Sequence, residues 1–356
     1  MKVAIIHNQL RSSGGMESYM LALIRGFCAA GDEVHIYTYE VDKKLAARLN
    51  CTLHKIHLFF LPRRWKKYCF LFWCNRNFHR DAYDLSLALT RTAGAHVAVV
   101  GGVHPASVKS RHKKGHFLRR FHDRMETRFE RTMFMECPAI LAHSRGISEE
   151  IKMYYPDMDS DKISVRYPPV DTDFFSRVSG EVLYKVREKY QVDPGKMTLL
   201  FPSKGHRRKG LSELLAAFDM LDQESFELLI VGEKIQGFHS IPPNVRYLGY
   251  VENLSALYGA VDYTVLPSRY EPFGLAVVES LHCGTPVLVT RQVGAAEILG
   301  PEEGVVLETN GARDIADAIT QLEKKKVAPG FVHRHGLSIT RHIEELKTLA
   351  GFPAPL

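Results

Sequence analysis

Short apolar runs separated by amphipathic stretches recur along the chain, and that alternation predicts a parallel sheet flanked by helices. In the first half, residues 3–7, 34–39, 85–89, 97–100 and 140–143 read as strands, and residues 16–30, 115–136 and 145–154 as helices. Gly31 is placed to stop the first helix. The alternation breaks at Arg166-Tyr167-Pro168-Pro169-Val170-Asp171, because Pro-Pro continues neither a helix nor a central strand. A second series follows, with strands expected at 198–201, 228–231, 245–248, 263–266 and 287–289. The pattern is that of two doubly wound α/β domains, whose ligands bind beyond the carboxyl ends of the strands.

Size agrees, since 356 residues are long for one domain and natural for two. At 45% hydrophobic and 24% charged, the composition is that of an ordinary globular protein, and no apolar run reaches the length of a membrane span. MKVAIIH is followed at once by polar NQLRSSGG, which does not read as a secretory signal. Cysteines 28, 51, 69, 74, 137 and 283 lack paired metal-type spacing, so they are expected to be reduced core residues in a cytosol. The net charge of +7 and pI of about 9.0 favour anionic partners, and the excess lies in the first half.

The chemistry concentrates after the strand at 263–266. A loop there holds Glu271, and a helix opening at Phe273-Gly274-Leu275 carries Glu279. Unpaired N–H groups at a helix start, with Gly274 allowing close approach, suit a phosphate. Carboxylates repel phosphate, so Glu271 and Glu279 are better suited to accepting hydrogen bonds from sugar hydroxyls. A sugar nucleotide offers hydroxyls at both ends and a diphosphate between. Were both glutamates helical, they would lie about 12 Å apart along the axis. Upstream, Phe201-Pro202-Ser203-Lys204-Gly205-His206-Arg207-Arg208-Lys209-Gly210 clusters four cations between a strand and a helix. A solvated basic loop is the plain alternative. Ser12-Ser13-Gly14-Gly15-Met16 places paired glycines between the first strand and its helix, without the full spacing of a dinucleotide fingerprint.

Glu271-Pro272-Phe273-Gly274-Leu275 with Glu279 resembles the E-x7-E motif of retaining, GT-B-fold, nucleotide-sugar glycosyltransferases of family 4. Cys283-Gly284-Thr285-Pro286-Val287 and Val293-Gly294 continue the pattern. The resemblance implies two Rossmann-like α/β domains facing across a cleft. Residues 1–168 would bind the acceptor, 169–335 the nucleotide sugar, and a helix within 336–356 would cross back to the first domain. It implies retaining transfer of a hexose, glucose favoured, from a nucleotide diphosphate sugar to a glycan or glycolipid. Neither a metal nor a cofactor beyond that co-substrate is expected, and front-face attack by the acceptor hydroxyl is the implied mechanism.

The implied roles follow residue by residue. Lys209, with Lys204 or Arg208, neutralises the departing diphosphate, although Lys204 stands where Arg is usual and Ser203 where Gly is frequent. The backbone at Phe273, Gly274 and Leu275 and the Gly14-Gly15 loop assist. Glu271 holds donor-sugar hydroxyls and Glu279 the ribose. His104, after Gly101-Gly102-Val103, is placed near the donor sugar, with a structural role as its alternative. His7 is the weaker histidine, open to a packing role only. The GGM and GGVH segments and two basic aromatic stretches are similar to lipopolysaccharide core glucosyltransferases.

The first of those stretches, residues 63–80, holds Arg63, Arg64, Trp65, Lys66 and Lys67 with no acid before Arg80 and also Trp73. The second, residues 109–131, holds Lys109, Arg111, Lys113, Lys114, Arg119, Arg120, Arg124, Arg128 and Arg131 against Asp123, Glu126 and Glu130, with Phe117, Phe121 and Met125 at helical spacing. A basic amphipathic helix with aromatics suits an anionic membrane interface. That predicts a cytoplasmic protein peripheral on the inner face of the membrane, ahead of a packed helix with a charged outer face, and no nucleic-acid partner is expected. Asp171-Thr172-Asp173 lies on the linker and reads as a turn. Asp157, Asp159 and Asp161 fail the calcium-loop pattern, since Lys162 and Pro168 stand where Gly and Glu are required. An epimerase or phosphorylase on the same architecture, and a non-enzymatic membrane-binding protein, are the alternatives.

Overall fold

The computed structural model describes residues 1–12, 14–59, 61–110, 117–237 and 240–351. Ser13, Arg111, Lys113 and Lys114, and the side chain of Phe117, lie outside the described residues. The chain forms two compact units. The first is Met1–Pro169 with Ser338–Leu356, and the second is Val170–Leu337.

The first unit is built on seven parallel strands: β1 (Lys2–Ile6), β2 (Glu33–Thr38), β3 (Thr52–Lys55), β4 (Leu85–Ala88), β5 (Val97–Val100), β6 (Ala139–Ala142) and β7 (Ile163–Val165). Their order is β3-β2-β1-β4-β5-β6-β7. The central strands are buried on both faces, which is why they read as continuous apolar runs. β3 and β7 are only partly buried, which explains why the apolar pattern misses them. The helix Gly15–Ala29 seats Met20, Leu23 and Phe27 in the core against Val3, Ile36 and Leu87.

The closing helix Ile339–Leu349 completes that core with Ile343 and Leu346. It is pinned polar-side as well. The hydroxyl of Tyr19, on Gly15–Ala29, shares a hydrogen bond with His342 Nε2 at 2.7 Å, and His143 lies edge-on to the same tyrosine ring. Burial pushes His143 and His342 down to about 3, so both are neutral.

The second unit carries six parallel strands: β8 (Met197–Ser203), β9 (Phe226–Gly232), β10 (Val245–Gly249), β11 (Tyr263–Leu266), β12 (Val287–Thr290) and β13 (Gly304–Leu307). Their order is β10-β9-β8-β11-β12-β13. Helices Leu211–Phe218 and Ala312–Thr320 cover one face, burying Leu214, Phe218, Ile315 and Ile319 against Leu199, Phe201, Leu228 and Ile230. In both units the strand order reverses beside the first strand, between β1 and β4 and between β8 and β11. In doubly wound sheets that reversal opens a crevice at the carboxyl ends.

Among the described residues no helix is long and apolar enough to cross a membrane. All six cysteines are free.

Candidate functional site

The carboxyl ends of β8 and β11 flank the reversal in the second unit, and their loops hold the clustered charges. β8 ends at Ser203, and the basic loop then turns on Gly210, at φ 81°, where a Cβ would strike the Pro267 carbonyl oxygen. Only glycine lets the two loops approach so closely. The loop is anchored from below. Glu233 accepts the Gly205 amide at 2.7 Å, and His206 bridges the Ser203 hydroxyl (2.8 Å) and the Glu233 carbonyl (2.9 Å).

Three of the loop's basic side chains part company. Lys204 is exposed. Arg208 reaches Glu271 Oε2 at 2.8 Å and donates to the Tyr270 carbonyl at 2.7 Å. Lys209 turns inward, 13% exposed, donating to the Pro202 carbonyl at 3.1 Å with Glu271 Oε2 3.8 Å away. Burial pulls its ammonium below the ordinary lysine value, opposed by the charges of Glu271 and Glu279. Arg208, Lys209 and Glu271 are thus one charge cluster, built from residues far apart in sequence.

Glu271 stands outside the helix. It pairs as a β-bridge with Val293, and the helix proper is Leu275–His282. The axial separation expected for two helical glutamates therefore does not apply, because Glu271 sits four residues before the first turn. Gly274 caps the helix at φ 93°, where a Cβ would come within 2.9 Å of Val293 Cγ1. The helix begins after Gly274 without a side-chain cap, and a helix start of this kind suits an anion.

Glu279 lies one turn into this helix and keeps part of its surface accessible. The Tyr258 hydroxyl donates to its Oε2 at 3.2 Å. Burial nevertheless pushes its carboxyl up to about 7, against that hydrogen bond and the Lys209 charge, with Asp171 adding to the rise. Tyr258, on the helix Leu254–Ala260, was invisible to the sequence reading. The available signal was a hydroxyl-tipped ring inside an otherwise apolar and small-residue helix.

The corresponding ends in the first unit are different in kind. Gly14 caps the helix Gly15–Ala29 at φ 101°, with Glu17 in its first turn and Arg11 3.8 Å from that carboxylate. His7 Nδ1 donates to the Leu89 carbonyl at 3.2 Å, across the β1–β4 reversal, and burial lowers the ring to about 4. Its buried Nε2 has no hydrogen-bond partner, and neither have Asn8 Oδ1 and Gln9 Oε1.

His104 opens the short helix His104–Lys109 and is buried. Its amide donates to Glu130 (2.9 Å), and its Nε2 meets Asp123 at 3.0 Å. Burial and then the Arg91 charge hold the imidazole below its usual value, against Asp123. Among the described residues, His104, His122 and Asp123 are the group whose ligand atoms gather closely enough for a metal, within 4.8 Å. The Arg91 charge bearing on His104 works against a cation there.

The basic segments need one correction. Residues 63–77 form the helix Arg63–Asn77, packed beside Phe117–Glu136 through a Tyr68–Phe129 ring stack. Lys67 does not belong to an outward basic face. Its ammonium holds both oxygens of buried Glu126 at 2.7 Å, and Arg91 bridges Glu126 and Glu130. Tyr155 completes the set on Glu130 at 2.7 Å. Burial opposes ionisation of Glu126, yet the Lys67 and Arg91 charges keep its carboxyl below the usual range. Arg63, Arg64, Trp65, Arg119, Arg120 and Arg124 are exposed, Trp65 at 50%, and Lys66 is partly so. Because Glu126 and Glu130 are buried, the outer surface of Phe117–Glu136 is more basic than its composition.

Comparison with known proteins divides the chain within 15 residues of the boundary between the units. Residues 13–174 match the family model "Glycosyltransferase Family 4", and residues 184–334 match "Glycosyl transferases group 1". A probable transglycosylase of Burkholderia thailandensis is 27% identical over 99% of this chain and 97% of its own. Among solved structures, WaaG, a glycosyltransferase involved in lipopolysaccharide biosynthesis, superposes with a TM-score of 0.74 at 18% identity, over 98% of this chain and 97% of that one. Anabaena HepE, solved in complex with UDP and glucose, gives 0.69 at 15% identity, over 99% and 96%. Those two likenesses establish a fold of two Rossmann-like units, the GT-B architecture.

Proposed function

The chain belongs to the group 1 glycosyltransferases, and from that premise we propose that it moves a hexose, glucose favoured, from a nucleotide diphosphate sugar to a glycan or glycolipid such as a lipopolysaccharide core, with retention at the anomeric carbon. The observation that carries the donor half of this reading is the joint placement of Lys209, Arg208, Glu271 and the Gly274 helix start at the β8–β11 reversal. The ion pairs of Arg208 and Lys209 with Glu271 hold the two cations ready. An incoming diphosphate competes for them and takes the helix-start amides as further donors. As the glycosidic C–O bond breaks, negative charge grows on the leaving phosphate oxygen, and Lys209 and these amides stabilise it. Glu271 then accepts from donor-sugar hydroxyls and Glu279 from the ribose. Lysine, arginine and backbone N–H groups carry the charge in this reading, so no metal or cofactor is required. UDP is the first nucleotide to try, because HepE was solved with it.

The acceptor's source rests on the first unit. Met1–Pro169 with Ser338–Leu356 carries 29 Lys and Arg against 18 Asp and Glu, whereas Val170–Leu337 carries 18 against 22. A basic unit with Arg63, Arg64, Trp65, Arg119, Arg120 and Arg124 exposed suits an anionic membrane surface and a lipid-linked acceptor. The test is a panel of UDP-, GDP- and ADP-sugars screened for nucleotide release with and without a chelator, followed by proton NMR of the product's anomeric signal. Release from one donor class, unaffected by chelator and with the anomer retained, is expected. An inverted anomer or metal-dependent release would overturn the corresponding part.

A further inference from the structure

We infer that Tyr258 is a positioning residue for nucleoside recognition: its buried hydroxyl, donated to Glu279 Oε2, holds that carboxylate ionised and turned so that its other oxygen meets the ribose hydroxyls. This rests on the proposed role of Glu279 as the ribose acceptor.

Tyr258 is fixed. Its side chain is fully buried, and its carbonyl accepts from the Thr285 hydroxyl at 2.6 Å. Phe175 packs at a centroid distance of 6.1 Å. The helix Leu254–Ala260 is otherwise made of apolar or small side chains, so the hydroxyl is the group it extends toward the site. Burial pushes the phenol well above its ordinary value, with Glu279 adding to the rise, so the hydroxyl is a donor at every working pH.

Glu279 is the responsive member. The groups that bear on it are Tyr258, Lys209 from the basic loop and Asp171 from the segment entering the unit; Cys283, at the end of its own helix, is held protonated by burial. Tyr258 and Lys209 favour the carboxylate, whereas burial and Asp171 oppose it. These opposing influences put its ionisation near neutrality, where one hydrogen bond decides the charge state. An ionised carboxylate accepts from two ribose hydroxyls, whereas a protonated one loses an acceptor position. Affinity for a ribonucleotide should therefore rise with pH through about 7. Without the tyrosine hydroxyl the midpoint should move upward by roughly one pH unit, a tenfold shift in the ionisation equilibrium.

The experiment is calorimetric titration of ADP, GDP and UDP and their 2′-deoxy counterparts between pH 6 and 9, on wild type, Tyr258→Phe and Glu279→Gln. The ribo-to-deoxy affinity ratio cancels the phosphate's own titration. In wild type this ratio should climb through about pH 7. In Tyr258→Phe the climb should shift upward by about one unit and recover by pH 9. In Glu279→Gln the ratio should be low and flat. A Tyr258→Phe profile superposed on wild type, with Glu279→Gln flat, would overturn the role of Tyr258 and leave the ribose reading standing. A Glu279→Gln profile like wild type would instead remove the ribose reading itself. Should Tyr258→Phe not fold, 3-fluorotyrosine at position 258 keeps ring and hydroxyl while strengthening the donor. The midpoint should then move downward, and no movement counts against the inference.

Discussion

The two reversal points share a topology and differ in chemistry. At the β8–β11 reversal the inward charges meet partners: Arg208 and Lys209 face Glu271, and Glu279 accepts from Tyr258, while Lys204 and Arg207 are exposed. At the β1–β4 reversal the ring of His7 is neutral and half-bonded; Arg11, beside Glu17, and Lys67, from the buried network with Arg91, Glu126 and Glu130, both bear on it. One fold therefore supports a compact ionic site in one unit and neutral acceptors in the other, because loops carry the chemistry while the sheets supply only position.

The contrast should appear most strongly in acid. His7, His143 and His342 are buried neutral in the first unit, at about 4, 3 and 3. Each must charge on unfolding below the ordinary histidine value. A histidine with a depressed folded pKa binds fewer protons folded than unfolded, so its contribution is present above about 6.5 and lost as pH falls toward 4. Together the three should cost the first unit on the order of 10 kcal/mol by pH 4. In the second unit Glu279 works the other way: its raised pKa favours the folded state in acid and is lost as pH rises through about 7. Both tryptophans lie in the first unit. Tryptophan fluorescence should hence report unfolding near pH 4–5 while circular dichroism retains about half of its native signal. Coincident transitions would show that the units are not independent in this respect.

Glu126→Ala should cost roughly 3 kcal/mol or more, because it strands Lys67 beside a buried site and leaves Arg91 with Glu130 alone. Urea melts followed by tryptophan fluorescence measure it, and a change under 1 kcal/mol would mean that water already satisfies those cations. Lys209→Ala should act on rate more than on fold. Loss of one preorganised charge at the leaving group should lower turnover about a hundredfold, with little change in melting temperature. Steady-state rates at saturating donor decide this, and an unchanged kcat would detach Lys209 from the leaving group. The surface effect falls on membrane binding and not on the reaction. Replacing Arg119, Arg120 and Arg124 with Gln should remove roughly 1 kcal/mol per charge from binding to anionic vesicles at low salt and leave nucleotide-sugar hydrolysis intact. Co-sedimentation that is equal for both proteins would make the outer face of Phe117–Glu136 merely solvated.

The alternation of strands and helices was legible because the central strands are apolar on both faces. β3, β7 and β13 escaped, being partly buried at or near sheet edges. Glu271, Glu279, Arg208 and Lys209 were legible through motif and spacing. Spacing carries no information about which charges meet, however, so the Arg208–Glu271 pair and the inward turn of Lys209 needed the fold. The same limit misplaced Lys67. A run of cations without acids looked like one surface, but its partner Glu126 lies 59 residues later. Tyr258 and Glu233 went unread because each acts through a contact that joins distant segments.

The central claim is that the diphosphate of the donor sits at the β8–β11 reversal of the second unit. Its most direct test is a crystal structure of the protein with UDP, or with ADP or GDP if the titrations favour one of these. The expected density places the diphosphate within hydrogen-bonding distance of Lys209 Nζ and the backbone amides around Gly274, with the ribose against Glu279. A nucleotide bound in a fully occupied site away from Lys209 and Glu279 would contradict it.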